Sequence, residues 1–132
     1  MMYLLDTHVM IWSVTETAKL SAATRAILEN PDHQILVSPV SFWEISLKYA
    51  LGKLDLRNVT PEDFPLACAA MDFEVLPLDA RVASTLYQLA ADHHKDPFDR
   101  MLIWQALCLD IPLVSRDAAI NLYQSAGLKV VW

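Results

Sequence analysis

Glycine is nearly missing from this chain: Gly52 and Gly127 are the only two among 132 residues. A phosphate-binding P-loop or a dinucleotide fingerprint needs several glycines at fixed spacing, so both are excluded. No G-x-S-x-G elbow occurs. No H-E-x-x-H and no paired Cys/His spacing occurs, which removes the common zinc sites. Cysteine is scarce as well. Cys68 and Cys108 both fall in apolar helical patterns and read as reduced core residues rather than as a disulfide. The first residues, Met1 to Leu5, carry no basic signal-peptide region, and together with the thiols they point to the cytoplasm. No apolar run reaches the roughly 20 residues that a membrane helix needs. Cations are outnumbered, 10 Lys and Arg against 16 Asp and Glu, for a net charge of −6. That argues against holding nucleic acid by bulk electrostatics. An acidic pocket still binds a phosphodiester through divalent cations, which reverse its sign.

What the chain does have is apolar residues, 55% of the total. That is ample for one core, and residues 1–132 read as a single domain without repeat, linker or low-complexity tract. Tyr3-Leu4-Leu5 predicts a buried strand ending at Asp6, followed by a helix over 7–14. Ser21 caps a second helix, and Asn30-Pro31-Asp32 is a turn. Gln34 to Val37 predicts a second strand. Ser38 to Ser41 leads into a helix over Phe42 to Tyr49, ended by Gly52. Thr60-Pro61-Glu62-Asp63 opens a helix that runs to about Met71. A third strand covers Phe73 to Leu76, and Asp79 caps a helix to about Ala91. A fourth strand covers 111–115, a helix covers Asp117 to Ser125 with Gly127 after it, and a fifth strand covers Leu128 to Trp132. Continuous apolar strands alternating with helices predict a parallel sheet covered on both faces.

The stretch from His93 to Trp104 organises the rest. Asp96 suits an N-cap, Pro97 the first helical position, and Asp99 the first turn. Phe98, Met101, Leu102, Gln105, Ala106 and Leu109 then set an apolar stripe. In a parallel sheet, ligands bind beyond the carboxyl ends of the strands. Asp6 directly follows the first strand and Asp117 the fourth. Glu44 lies early in the helix after the second strand. Asp99 lies in the first turn of the helix that feeds the fourth. All four fall on one edge. Each has an ordinary explanation too: Asp6, Asp96, Asp99 and Asp117 suit helix starts, and Ser41 with Glu44 makes the S-x-x-E capping box. Their joint occurrence shifts the balance. Crowded carboxylates repel unless a cation joins them, and oxygen-only ligands suit Mg²⁺ or Mn²⁺. Two such ions about 3.5–4 Å apart suit phosphodiester hydrolysis. His8, His93 and His94 show no metal-ligand spacing and read as ordinary surface or core histidines.

At this point the segments Tyr3-Leu4-Leu5-Asp6-Thr7-His8, Val37 to Ile45 (V-S-P-V-S-F-W-E-I), His94 to Ile103 (H-K-D-P-F-D-R-M-L-I) and Leu113-Val114-Ser115-Arg116-Asp117 resemble the PIN-domain family. More narrowly, they resemble the VapC-type toxins of bacterial toxin–antitoxin pairs. The resemblance runs along the whole chain. It implies a three-layer α/β sandwich with a parallel five-stranded sheet of order 3-2-1-4-5, and an Mg²⁺- or Mn²⁺-dependent endoribonuclease. By position, Asp6, Glu44, Asp99 and Asp117 match the catalytic, metal-holding quartet. Asp96 is an extra acid, a ligand or cap at the rim. Ser115 matches a position suited to orienting water. Asp6, Glu44 and Asp99 would hold one metal, and Asp117 would serve a second or polarise water. In-line attack of water on RNA would leave a 5′-phosphate and a 3′-hydroxyl.

Arg100, Arg116 and Lys48 are candidates for flanking phosphates and equally for ordinary surface charge. The resemblance also implies a small VapB-like antitoxin lying over the groove, and a homodimer. Trp12, Phe42, Trp43, Tyr49 and Leu51 are candidates to line that groove, with at least half of them expected in the core. The leading alternative is a catalytically inactive PIN-like module that binds RNA or protein. A receiver-type signalling domain fits poorly, because the third strand ends in Leu76-Pro77 and not in a phosphorylatable Asp. A metal-dependent phosphatase of small esters is separated from an RNA nuclease only by the resemblance.

Overall fold

The structure, a computed structural model, describes residues 1–90 and 94–132. Strand β1 (Met2–Leu5) lies between β2 (Gln34–Val37) and β4 (Leu113–Val114), with β3 (Glu74–Val75) and β5 (Val130–Val131) outside them. All pairs are parallel and the order is 3-2-1-4-5, as the resemblance implied. Strand periodicity sorts the core. Tyr3, Leu5, Ile35, Val37 and Val114 point to one apolar layer. Leu4, Leu36 and Leu113 point to the other. Helices α1 (Thr7–Thr15) and α4 (Asp63–Ala70) cover the first face through Val9, Met10, Phe64 and Cys68. Helix α6 (Pro97–Leu109) covers the second through Phe98, Leu102, Ile103 and Ala106, joined by Ile120 of α7 (Ala118–Asn121). Helix α3 (Pro39–Ala50) spans the seam, giving Val40 to one layer and Ile45 to the other. Burying apolar area at ~25 cal/mol per Å² on both faces is what holds the three layers together.

Several expectations shift. Helix α3 starts at Pro39, not near Phe42, because Ser38 is its N-cap and accepts from Val40 N at 3.1 Å. Proline then occupies its favoured first position. Ser41 is therefore inside the helix, and the Ser41–Glu44 capping box does not form. Helix α2 (Ala22–Glu29) is capped by Ser21, as expected. The helix after Asp79 is short: α5 covers Ala80–Ser84 and gives way to a 3₁₀ turn at Leu86–Gln88. Ser84 and Thr85 hydroxyls bond back to the Arg81 carbonyl, which competes with continued α-helix. The predicted end of that helix at Ala91 lies outside the described residues, as does His93. Helix α7 likewise ends early, and 3₁₀ geometry carries the chain to Gly127, whose φ of +98° closes it. On α6 the buried stripe takes Ile103, and leaves Leu109 and Cys108 exposed. Cys108 is thus not a core residue, whereas Cys68 is.

Candidate active site

The five predicted acids stand at the carboxyl edge of the sheet, on four different elements. Asp6 directly follows β1 and caps α1, accepting from Val9 N at 2.9 Å with one oxygen. The other oxygen accepts from Ser115 Oγ at 2.5 Å. Asp96 caps α6 through Phe98 N and Asp99 N. Asp117 caps α7 through Ala119 N and is exposed. These three do perform the capping that sequence logic allowed. Glu44 and Asp99 cap nothing. Glu44 is 2% exposed. Its Oε2 accepts from Lys48 Nζ at 2.5 Å, and its Oε1 is buried with no hydrogen-bond partner. Asp99 Oδ2 lies 3.4 Å from His94 Nε2.

The carboxylates are near enough to feel one another. Burial, then the charges of Asp96, Glu44, Asp6 and Asp117, push the Asp99 carboxyl up to about 7. Burial also raises Asp6, against the lowering pull of the Ser115 and Val9 hydrogen bonds. Desolvation would lower Lys48, but its hydrogen bond to Glu44 and the charges of Glu44, Asp96 and Asp99 together hold it above its ordinary value. Among the described residues, no three His, Cys, Asp or Glu side chains stand in ion-coordinating geometry. The cause is visible in their partners, since Glu44 is turned to Lys48 and Asp6 to Ser115. Even so, the residues suit a hard divalent cation. The donors are all oxygen, and a buried, bare carboxylate oxygen on Glu44 is costly unless something positive meets it.

Hydroxyl contacts fix the spacing of these elements, and none of them was foreseen. Thr7 Oγ1 donates to Ser41 Oγ at 3.0 Å and ties α1 to α3. Ser38 Oγ donates to Gln105 Oε1 at 2.6 Å and ties α3 to α6. Ser115 donates to Asp6 and accepts from Asp117 N at 3.0 Å, so it orients a carboxylate rather than being left free for water. Arg100 is engaged within the fold. Its guanidinium donates to the Leu89 and Ala90 carbonyls and to Tyr123 Oη. Arg116 is exposed beside the acids, 5.6 Å from the centre of the Trp12 ring. With Asp6, His8 and Asp117 these two line a cleft of about 290 Å³. Of the candidate groove residues, Trp43, Tyr49 and Leu51 are exposed, whereas Trp12 and Phe42 pack against the core.

Known proteins with this architecture are readily found. The chain is similar to a protein named Ribonuclease VapC22 from Mycobacterium tuberculosis, with 26% identity over 129 residues, 98% of this chain and 97% of that protein. It superposes on VapBC2 from Rickettsia felis, solved bound to a DNA fragment from their promoter, with a TM-score of 0.69 at 15% identity, covering 99% of this chain and 98% of that one. It superposes on VapBC-1 from nontypeable Haemophilus influenzae with a TM-score of 0.68 at 19% identity, covering 99% and 97%. At such identities the superpositions speak for the fold. The PIN domain, as a sequence family, matches residues 3–124, and the chain belongs to the PIN-domain family.

Proposed function

We propose that this chain is an Mg²⁺- or Mn²⁺-dependent endoribonuclease of the VapC type, the toxin of a toxin–antitoxin pair, built as one PIN domain over residues 1–132. One observation carries the reading. Glu44 is buried with a bare carboxylate oxygen, in a cluster whose five acids come from four separate elements. A capped scaffold has no use for that charge. The ribonuclease name of the similar mycobacterial protein supplies the substrate class.

In this reading Asp6, Glu44 and Asp99 hold one cation, with Asp96 at the rim, and Asp117 serves a second or polarises water. A bound divalent ion supplies charge for the phosphoryl oxygens and acidifies water near neutral pH. The chain's own groups do the rest. Ser115 keeps one Asp6 oxygen aimed, and Lys48 balances Glu44 while no ion is present. Arg116 offers a donor to a flanking phosphate, and the Trp12 ring beside it suits a stacked base. Water attacks the phosphodiester in line, leaving a 5′-phosphate and a 3′-hydroxyl.

The antitoxin, a small VapB-like protein, covers the face beside Glu44. Trp43, Leu47 and Leu51 recur there every fourth residue, each more than 40% exposed, with Tyr49 next to them. A homodimer is part of the same reading. Two free thiols suit the reducing cytoplasm, and among the described residues no helix is long and apolar enough to cross a membrane.

The test is cleavage of mixed structured and single-stranded RNAs by the antitoxin-free chain with Mg²⁺, Mn²⁺ or EDTA, beside Asp6→Ala and Asp99→Asn variants. Metal-dependent cutting lost in both variants is the expected result. Cutting at the wild-type rate by either variant overturns the site. Folded protein that binds neither ion and cuts nothing is an inert RNA- or protein-binding module instead.

A further inference from the structure

The cleft that holds Asp6 and Asp117 does not end at the acids but runs on to His8, Trp12 and Arg116. His8 and Trp12 stand four residues apart on α1, so they share one helix face, with ring centres 5.8 Å apart. Trp12 packs against the core, and Trp132 meets its ring in a T at 6.1 Å. These contacts fix the ring while one side of it still lines the cleft.

Two cations lie over that ring. Arg116 Cζ is 5.6 Å from its centre. Lys19 Nζ, at the end of the 3₁₀ turn Thr17–Lys19, is 5.7 Å from it. Among the described residues Arg116 makes no hydrogen bond or ion pair, although two carboxylates share its cleft. Lys19 shares Glu16 with Arg57, at 3.2 and 2.9 Å, so that trio keeps one positive charge. Cations gathered on a ring are unusual for a chain of net charge −6, and they border the acids.

Each nucleotide of a single strand carries a base between two phosphates. An aromatic ring with two cations over it offers the matching groups, since the ring stacks the base and the cations take the phosphates. An exposed cation gains only about 2- to 5-fold from such a ring. A stacked base gains about 5- to 150-fold, so the base takes the ring and the cations turn to its phosphates. A base within a duplex cannot stack in this way, because it must first be unpaired and splayed out.

We propose that Trp12, with Arg116 and Lys19, forms a subsite for one unpaired nucleotide of RNA, beside the phosphodiester held at the acids. The proposal takes its ligand from the reading of the chain as a ribonuclease.

Fluorescence anisotropy of a labelled, unstructured RNA with the chain in EDTA decides it. Trp12→Ala should weaken binding about 5- to 150-fold. Trp12→Phe, which keeps a stacking ring, should recover most of the loss. Arg116→Gln and Lys19→Gln should each lower the slope of log affinity against log salt by about 0.7. The same strand without its bases should bind wild type and Trp12→Ala alike, which damage to the fold would not produce. Folded Trp12→Ala that binds the intact strand like wild type overturns the proposal. So does an equal loss with the baseless strand, which leaves only a patch of cations, and so does wild type that binds no RNA. Failure of the underlying reading looks different. RNA then binds through Trp12 but no strand is cut with Mg²⁺ or Mn²⁺, and the subsite stands while the nuclease falls.

Discussion

Replacing Asp99 by Asn should stabilise the metal-free chain at pH 8 and leave it nearly unchanged at pH 4. The carboxyl moves from an ordinary 3.8 to about 7 on folding, through burial first and then through Asp96, Glu44, Asp6 and Asp117. A raised acid holds its proton longer when folded than when unfolded. Stability is therefore full below the unfolded value, falls as pH rises, and is lost by about 7. At about 1.4 kcal/mol per pH unit, the whole span corresponds to about 4 kcal/mol. The Asp99 side chain keeps 17% of its exposure, and Asp117 lies in water, so screening reduces this to about 2 kcal/mol. Asn mimics the neutral acid and escapes the loss. Urea titrations of both proteins in EDTA at the two pH values measure it. Adding Mn²⁺ at 100 times its Kd should then stabilise wild type by about 2.7 kcal/mol and leave Asp99→Asn behind. An advantage of the same size at pH 4 and pH 8, or a variant that is less stable at pH 8, refutes the electrostatic argument.

Other outcomes follow from the same geometry. Lys48→Gln leaves Glu44 buried without its cation and should cost about 1–2 kcal/mol in EDTA, below the range for fully buried pairs because Lys48 is 28% exposed. The same variant should bind Mn²⁺ more tightly, since the ammonium no longer competes for Glu44, and one titration of each kind checks both. A thiol reagent should label Cys108 in the native chain and Cys68 only after denaturation, because burial hides Cys68 and pushes its thiol up to about 11. Gly52→Ala should cost about 1 kcal/mol through its positive φ of +69° alone, since no atom lies within 4 Å of the added Cβ, and thermal unfolding reads it.

Much of this architecture was legible in the residues, for local reasons. Apolar strand runs, capping side chains at Ser21, Asp79, Asp96 and Asp117, and the glycines at 52 and 127 act within a few positions of themselves. What escaped notice acts at a distance. Ser38 and Gln105 meet across 67 residues, and Thr7 and Ser41 across 34. No spacing rule pairs them. The start of α3 was misplaced because Ser41 with Glu44 imitates a capping box. Pro39 after Ser38 was the better signal, with its φ preset for a first helical residue. Arg100 looked free because its acceptors are backbone carbonyls, which any sequence supplies. Asp6, Glu44 and Asp117 stand out by their place after strands, and Asp96 and Asp99 by their place at the start of α6. That Glu44 and Asp99, alone of the five, cap no helix only the folded chain shows.

The strand order has a consequence for how the protein is born. β1 is made first but sits in the middle of the sheet, and its second edge waits for residues more than a hundred positions later. Leu4 N bonds to the Pro112 carbonyl and Asp6 N to that of Val114, and Ser115 completes the Asp6 cradle. A chain leaving the ribosome thus carries Asp6 and Glu44 without the partners that gather them until residues 112–115 have emerged. Pairing so distant in sequence is slow, and it comes last. Whatever the gathered acids do, they do it in one late step, when Val114 reaches the sheet.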